Sequence, residues 1–323
     1  MADDNNPSWR THGLPDAQAF AALAQEMPAS SLWSLLIEVM ERRAKARSLP
    51  ELLRQWEQDD FTAPAPVDQR TFLRLDSRLF EAAAAFEAVE LSPLTPLGTC
   101  STMGLASQNK IVSALRGTEV MSDPTNSLAL ECARRLRHSP EASLRLATSQ
   151  RVVRAQRLPP LAQRVGISRH FRQHFRMFVL TTAGREVKDH GFVVEALREH
   201  ILTHLRALQL LERDGYTIGA RSLRLLATKE RAPLLDRIAA NFPRDLAISC
   251  EVLNHPYYSG GLRFLLSVRP AELELPLIDG GAFDWVSRLS ANRKHVFVAS
   301  GLGSQLLATL RPSDPPPGAG QSR

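Results

Sequence analysis

Three stretches in the last third of the chain decide the fold: HPYYSGGLRFLL (255–266), LPLIDGGAFDWVSRL (275–289) and VFVASGLGSQLLATL (296–310). GLRFLLSV (261–268) and HVFVASG (295–301) are dense in strand-forming residues, and LGSQLLATL (302–310) reads as a short final helix. The Gly280–Gly281 pair between the two strands has two readings. Paired glycines let a backbone approach a small molecule closely, which suits a ligand floor. They also suit a plain tight turn, with the tyrosines in the core. Tyr257 and Tyr258, if on one strand, point to opposite faces, so at most one of them lines a pocket.

Working outward, LAISCEVL (246–253) adds another strand, and residues 190–213 have the periodicity of a long helix. Between them lies a basic mixed region. SLRLATSQRVVRAQ (143–156) and HFRMFVLTTAG (174–184) read as strands. SDPTNSLALECARRL (122–136) carries a helix start, with Asp123 or Ser122 as cap, Pro124 in the first turn and an apolar face behind. A helix with Leu73, Leu75, Leu79 and Phe86 leads into a strand-like VELSPL (89–94). A second strand surrounds Thr118 to Met121. Toward the N-terminus, Ser31 caps a helix with Leu32, Leu35, Leu36, Val39 and Met40, and Pro50 opens a shorter one with Leu52, Leu53 and Trp56. TAPAPVD (62–68) breaks the pattern. Residues 1–15 read as disordered, 16–66 as a helical extension and linker, 67–311 as the main domain and 312–323 as a disordered tail. The fold class is α+β, an antiparallel sheet flanked by helices with an N-terminal helical extension.

In order and spacing, the three C-terminal stretches resemble the core of the class II aminoacyl-tRNA synthetases, of the histidyl branch. The matching positions are Tyr257, Tyr258, Ser259, Gly260, Phe264, Gly280, Gly281, Phe283, Asp284 and Gly303. TEVMSDPTNSLALECARR (118–135) is similar to the family's acidic-Thr element, which implies that Asp123 and Thr125 contact an amino acid's ammonium group. RLATSQRVVRAQR (145–157) is similar to the strand-loop-strand motif, and Arg154 then matches the arginine that grips the α-phosphate of ATP, a task suited to its planar fork. On the following strand, matching Gly184 to the family's glycine places Phe175 on the family's phenylalanine; a competing register uses Phe171 and Gln173. The resemblance covers roughly residues 70–310. The ligand-binding candidates are Asp123, Thr125, Arg154, Gln156, Tyr258, Gly280, Gly281 and Asp284.

The departures from the family set the functional expectation. Its motif glutamate is Gln156 here, an amide that both donates and accepts. The arginine of its last motif is missing, the position holding Leu306 or Ser304. EVLNHPYY lacks the arginine that precedes the tyrosines in the family, and no anticodon-binding domain follows the core. A charge-assisted contact is worth on the order of 1.5–3 kcal/mol, so losing one side of a phosphate clamp argues against tRNA charging. The resemblance extends to the regulatory subunit of ATP phosphoribosyltransferase, a shortened branch that does not charge tRNA. The leading expectation is a regulatory or accessory subunit that binds an amino-acid-like or nucleotide ligand. The alternative is an adenylate-forming ligase acting on a non-tRNA acceptor, with ATP and Mg as cofactors and with Arg145, Arg185 or Arg263 replacing the lost arginine. A third expectation is a structural dimer module. The resemblance implies a homodimer through residues 75–96 and allows a partner enzyme.

Composition narrows the field further. The chain has 323 residues, is 44% hydrophobic and carries a net charge of +6. Lysine occurs only at Lys45, Lys110, Lys188, Lys229 and Lys294, and the arginines are spread among acids. The charge is therefore not read as a nucleic-acid surface. No apolar run reaches membrane-spanning length, the start MADDNNPSWRTHG is no secretory signal, and Cys100, Cys132 and Cys250 form neither zinc spacing nor a disulfide framework. The expected compartment is the cytoplasm. No GxGxxG after a strand, no GxxxxGK[ST] and no GxSxG is present. His200 and His204 share a helix face without a third metal ligand and read as surface histidines. His170 and His174 sit among arginines, as a solvated surface or an anion site. Glu195 and Glu199 flank Arg198 on a charged face.

Overall fold

The computed structural model describes residues 17–104, 107–156, 158–159, 163, 171–271 and 274–310. Residues 1–15 and 312–323, which read as disordered, and His170 lie outside these residues. The chain opens with α1 (Ala17–Ala21), α2 (Ala29–Lys45) and α3 (Leu49–Gln58). Ser48 and Glu51 form a reciprocal capping box at α3, with Pro50 in its first turn. α2 begins at Ala29 behind Pro28, not at a Ser31 cap. The proline's fixed φ already sets the chain for helix entry, which places both following serines inside the first turn.

α4 (Gln69–Ala82) then leads into β1 (Glu87–Ala88), β2 (Leu94–Pro96), α5 (Thr99–Gly104), β3 (Ser113–Ala114) and β4 (Thr118–Val120). The expected strand at 89–94 is absent, because Ser92 and Pro93 separate two short pairings, β1 with β5 and β2 with β4. Next come α6 (Pro124–His138), β5 (Leu144–Val153), β6 (His174–Arg185), α7 (Gly191–Arg213), β7 (Ala220–Ala227), α8 (Leu235–Ala239) and β8 (Ala247–Val252). The chain ends with β9 (Leu262–Arg269), β10 (Leu275–Phe283), α9 (Trp285–Leu289), β11 (His295–Leu302) and α10 (Ser304–Ala308).

Among the described residues, eight strands form one sheet in the order β1-β5-β6-β11-β10-β9-β7-β8. Its pairings are antiparallel except at the two margins, where β1 runs parallel to β5 and β7 parallel to β8. β2, β4 and β3 form a small separate sheet. Alternation along each strand divides the core into two layers. Phe178, Leu180, Val298 and Leu302 face α4, α7 and α10, while Val179, Phe297 and Ala299 face α6 and α9. This is the α+β architecture expected of the sequence.

Two strand assignments differ from the sequence reading. β7 lies in the segment read only as basic and mixed, since the exposed Arg224 sits between the buried Leu223 and Leu225 and Arg221 stands at the strand's start. Gly280 and Gly281 are not a turn but lie inside β10, paired to Ser300 and Ala299 on one side and to Phe264 and Arg263 on the other. A Cβ on Gly280 would sit 2.5 Å from the Ser300 Cβ and 2.6 Å from the Phe264 ring. The pair is small because neighbouring strands carry large side chains across it.

His200 and His204 are buried, not superficial. The face of α7 that carries them packs onto the sheet rather than facing water. His204 Nε2 and His200 Nδ1 lie 2.8 and 2.9 Å from the Ser300 hydroxyl, and His200 Nε2 lies 3.0 Å from Thr182 Oγ1. Donor and acceptor counting allows a neutral chain in either direction, from His204 through Ser300 and His200 to Thr182 or the reverse. His174 is likewise buried, between Arg151 Nη1 at 2.9 Å and the Ala63 carbonyl at 2.7 Å.

Candidate functional site

On the α6 side of the sheet lies a cavity of about 640 Å³. Its walls come from α5, the start of α6, the ends of β5 and β6, the tyrosine turn, and the middle of β10 and β11. Asp123, Thr125, Arg154, Gln156, Tyr258 and Gly280 all line it.

One end is set by the entry to α6. Asp123 is the N-cap, and its Oδ1 accepts from the Thr125 N–H at 3.0 Å and the Thr125 hydroxyl at 2.8 Å. Its Oδ2 lies 3.8 Å from Arg154 Nη2, a loose pairing. Arg154 Nε donates to the Ser122 carbonyl at 3.1 Å, and its guanidinium stands 5.1 Å over the Phe175 ring. Of the two registers considered for β6, this geometry puts Phe175 beneath Arg154. Phe171 also lines the cavity, whereas Gln173 donates to the Gln156 carbonyl at 3.2 Å.

Beside this end, Glu119 is a fully buried carboxylate. Burial pushes its pKa up, but the N–H of Cys100, the Gln108 amide and the N–H of Gly98 outweigh that and hold it below the ordinary value.

The floor carries a second carboxylate that the sequence reading did not single out. Asp279 accepts from the Tyr258 hydroxyl at 2.6 Å and from Arg263 Nε and Nη2 at 3.1 and 2.8 Å. The Arg263 guanidinium also stands 4.7 Å over the Tyr258 ring. The alternation of IDGG along β10 was the available signal, since Asp279 is a charged residue on a strand that is otherwise mostly buried. Both tyrosines line the cavity, contrary to the opposite-face expectation, because residues 256–258 form a turn and not a strand. Burial raises the pKa of both phenols, so both stay neutral at physiological pH.

Gly281 and Asp284 do not line the cavity. A Cβ on Gly281 would lie 2.6 Å from Tyr258 Cδ1, so this glycine makes room for the tyrosine behind the wall. Asp284 accepts from the Ser259 hydroxyl at 2.7 Å, and its N–H donates back to that oxygen at 3.0 Å. It holds the tyrosine turn against the start of α9.

Of the arginines considered as replacements for the one missing near the end, Arg145 pairs with Glu199 and Arg185 with Glu141, both away from the cavity. Arg263 does not line the cavity itself and reaches its wall through Asp279 and the Tyr258 ring. Leu306 lines the cavity, and Ser304 is buried. The other cationic side chains on the wall are Lys110 and Arg172. No group of three His, Cys, Asp or Glu side chains among the described residues converges to hold a metal.

A mostly antiparallel sheet flanked by helices, a helix entry bearing Asp and Thr, an arginine stacked on a phenylalanine and Gly280 in the floor are the features of a class II synthetase-like fold. Solved structures agree. The chain is similar to an ATP phosphoribosyltransferase regulatory subunit/histidyl-tRNA synthetase from Bacillus halodurans, with a TM-score of 0.54 and 14% identity over 78% of this chain and 83% of that one. It is similar to the apo histidyl-tRNA synthetase of S. aureus, with a TM-score of 0.55 and 11% identity over 77% of this chain and 68% of that one. A histidine–tRNA ligase subunit from Alicyclobacillus acidocaldarius gives a TM-score of 0.53 and 12% identity over 78% and 96% of the two chains. These likenesses establish the fold. No family model matches the chain, and no curated protein matches its sequence.

Proposed function

We propose that this chain is a histidyl-tRNA-synthetase-like paralogue that binds an amino-acid-like or nucleotide ligand in the cavity without charging tRNA. It then serves as a regulatory or accessory subunit to a partner enzyme, in the cytoplasm. One observation carries the reading. The cavity has two carboxylates, Asp123 and Asp279, fit to receive an ammonium group, while its phosphate-facing chemistry is reduced. By the resemblance, Gln156 stands in place of a carboxylate and Leu306 or Ser304 in place of an arginine, and Arg154 is tied to the Ser122 carbonyl. Such a site can hold a zwitterion without driving displacement at a phosphate. The exposed Leu73, Leu94 and Leu97 around the first motif support a homodimer.

The test is amino-acid-dependent exchange of labelled pyrophosphate into ATP, run beside calorimetric titration with the same amino acids. The expected result is binding of an amino acid without exchange. Exchange abolished by Arg154→Ala would overturn the reading. It would favour the second one, an ATP-dependent adenylate-forming ligase, which is supported by Lys110, Arg154 and Arg172 all standing on one cavity wall.

A further inference from the structure

One polar atom on the cavity wall, the amide oxygen of Asn126, has no partner among the described residues. Asn126, in the first turn of α6, is 2% exposed and lines the cavity, and its amide oxygen has no hydrogen-bond partner. Buried amide oxygens are rarely left so, because an unmet acceptor has lost its water without replacement. Cys100 and Ser122 stand beside it with Thr125 and Tyr257 on the same wall, and the Ser122 hydroxyl donates to the Cys100 sulfur at 3.0 Å. Space in front of the amide is kept by Gly104, where a Cβ would come within 3.3 Å of the Tyr257 ring and 3.6 Å of Asn126 Nδ2.

The side chains beside this amide, Cys100, Ser122, Thr125 and Tyr257, are uncharged, and the nearby Glu119 carboxylate is already held by the N–H groups of Gly98 and Cys100 and by the Gln108 amide. Burial pushes the Cys100 thiol up, with the Ser122 and Asn126 contacts only partly offsetting it, and burial likewise keeps the Tyr257 phenol protonated. The nearest carboxylate on the wall, Asp123, has one oxygen committed to Thr125. A charged group pushed against the Asn126 amide would lose its hydration, an anion would face Glu119 and Asp123, and a cation would find the Glu119 oxygens already taken by their donors and Asp123 engaged by the ligand's ammonium group. An aliphatic group would leave the amide oxygen unmet.

We infer that Asn126 is a specificity-determining residue, whose amide oxygen accepts a hydrogen bond from an uncharged N–H or O–H group on the side chain of a bound amino acid. This deepens the proposed function and rests on it. With Asp123 and Asp279 receiving the ammonium group, Asn126 reads the side chain, and the ligand class is the neutral polar amino acids.

The experiment titrates the full-length protein calorimetrically at pH 8 with glutamine, asparagine, serine, histidine, leucine, lysine and glutamate. It compares wild type, Asn126→Ala and the isosteric Asn126→Asp. Wild type should bind one of the first four at least about ten-fold more tightly than leucine, lysine or glutamate, the discrimination expected where a buried partner would otherwise go unpaired. Asn126→Ala should lose that preference, the favoured ligand weakening about ten-fold while leucine changes little. Asn126→Asp, which keeps the shape and adds a negative charge, should shift the ranking toward lysine. Circular dichroism melts without ligand check that each variant folds, and the rank order is a readout that general loosening would not invert. Unchanged ranking in both variants overturns the role of Asn126 and leaves the amino-acid site standing. No binding of any of the seven to wild type overturns both.

Discussion

The buried pair His200 and His204 makes the stability of this protein depend on pH in a predictable window. Burial drives both imidazoles below their ordinary value of 6.5, His204 to about 3 and His200 well below, the latter helped by the neighbouring His204 and Arg145. The edge of the Phe86 ring closes the site, with centroids 5.6 Å from His200. The hydroxyls of Thr182 and Ser300 are neutral partners, so neither ring has a carboxylate among its hydrogen-bond partners to stabilise a second proton. Unfolded histidines take up protons below pH 6.5 while the folded pair does not. The stability held by the pair is therefore complete above 6.5 and is lost as pH falls below it. At pH 5.5, one unit below the unfolded value, each histidine costs about 1.4 kcal/mol, and the pair about 3 kcal/mol. The assay is urea unfolding at pH 7.5 and 5.5, comparing wild type with the double variant His200→Gln/His204→Gln, which keeps hydrogen-bonding groups but does not titrate. Wild type should lose about 3 kcal/mol more than the variant between the two pH values. Carboxylates and the remaining histidines act alike in both proteins and cancel. Equal losses would mean that the pair is protonated in the folded state, and the burial argument would fail.

Three further outcomes are expected. Gly280→Ala should destabilise by about 1–3 kcal/mol, because the new methyl would overlap Ser300 and the Phe264 ring, which packing does not let move; chemical denaturation reads it. Asp279→Asn should weaken the hold on Arg263 and the Tyr258 hydroxyl, costing about 1–2 kcal/mol after allowance for the solvent-exposed part of the carboxylate, and should reduce amino-acid affinity in titration. Asp123→Ala should remove the cap of α6 at a cost of about 1 kcal/mol and abolish amino-acid binding, whereas Asp123→Asn should restore the cap but not the binding; wild-type affinity in Asp123→Asn would separate Asp123 from the ligand.

Much of this protein was legible in its chain order because the signals are local. The cap-and-proline entry of α6, the period of α7 and the alternation of β5 and β6 each arise from neighbours a few residues apart, and each element formed where its pattern stood. The spacing of the tyrosine, Gly-Gly and final-strand stretches likewise carried the fold class. What the local pattern could not contain is which face of an element meets the core. His200 and His204 have the spacing of any polar pair on a helix, and only the packing of α7 onto β6 and β11 buries them against Thr182 and Ser300. Gly280 and Gly281 read equally well as a turn until Phe264, Ser300 and Tyr258 close in from neighbouring strands. Asp279 gains meaning from Arg263 and Tyr258, 16 and 21 residues away. Asn126 gains it from Cys100 and Tyr257 on separate segments. Sequence by itself determined the elements and the class of fold, since those follow from short-range propensity and periodicity. Tertiary structure alone decided the cavity and its unmet amide, since both exist only where segments distant in the chain are held together by the burial of their apolar faces.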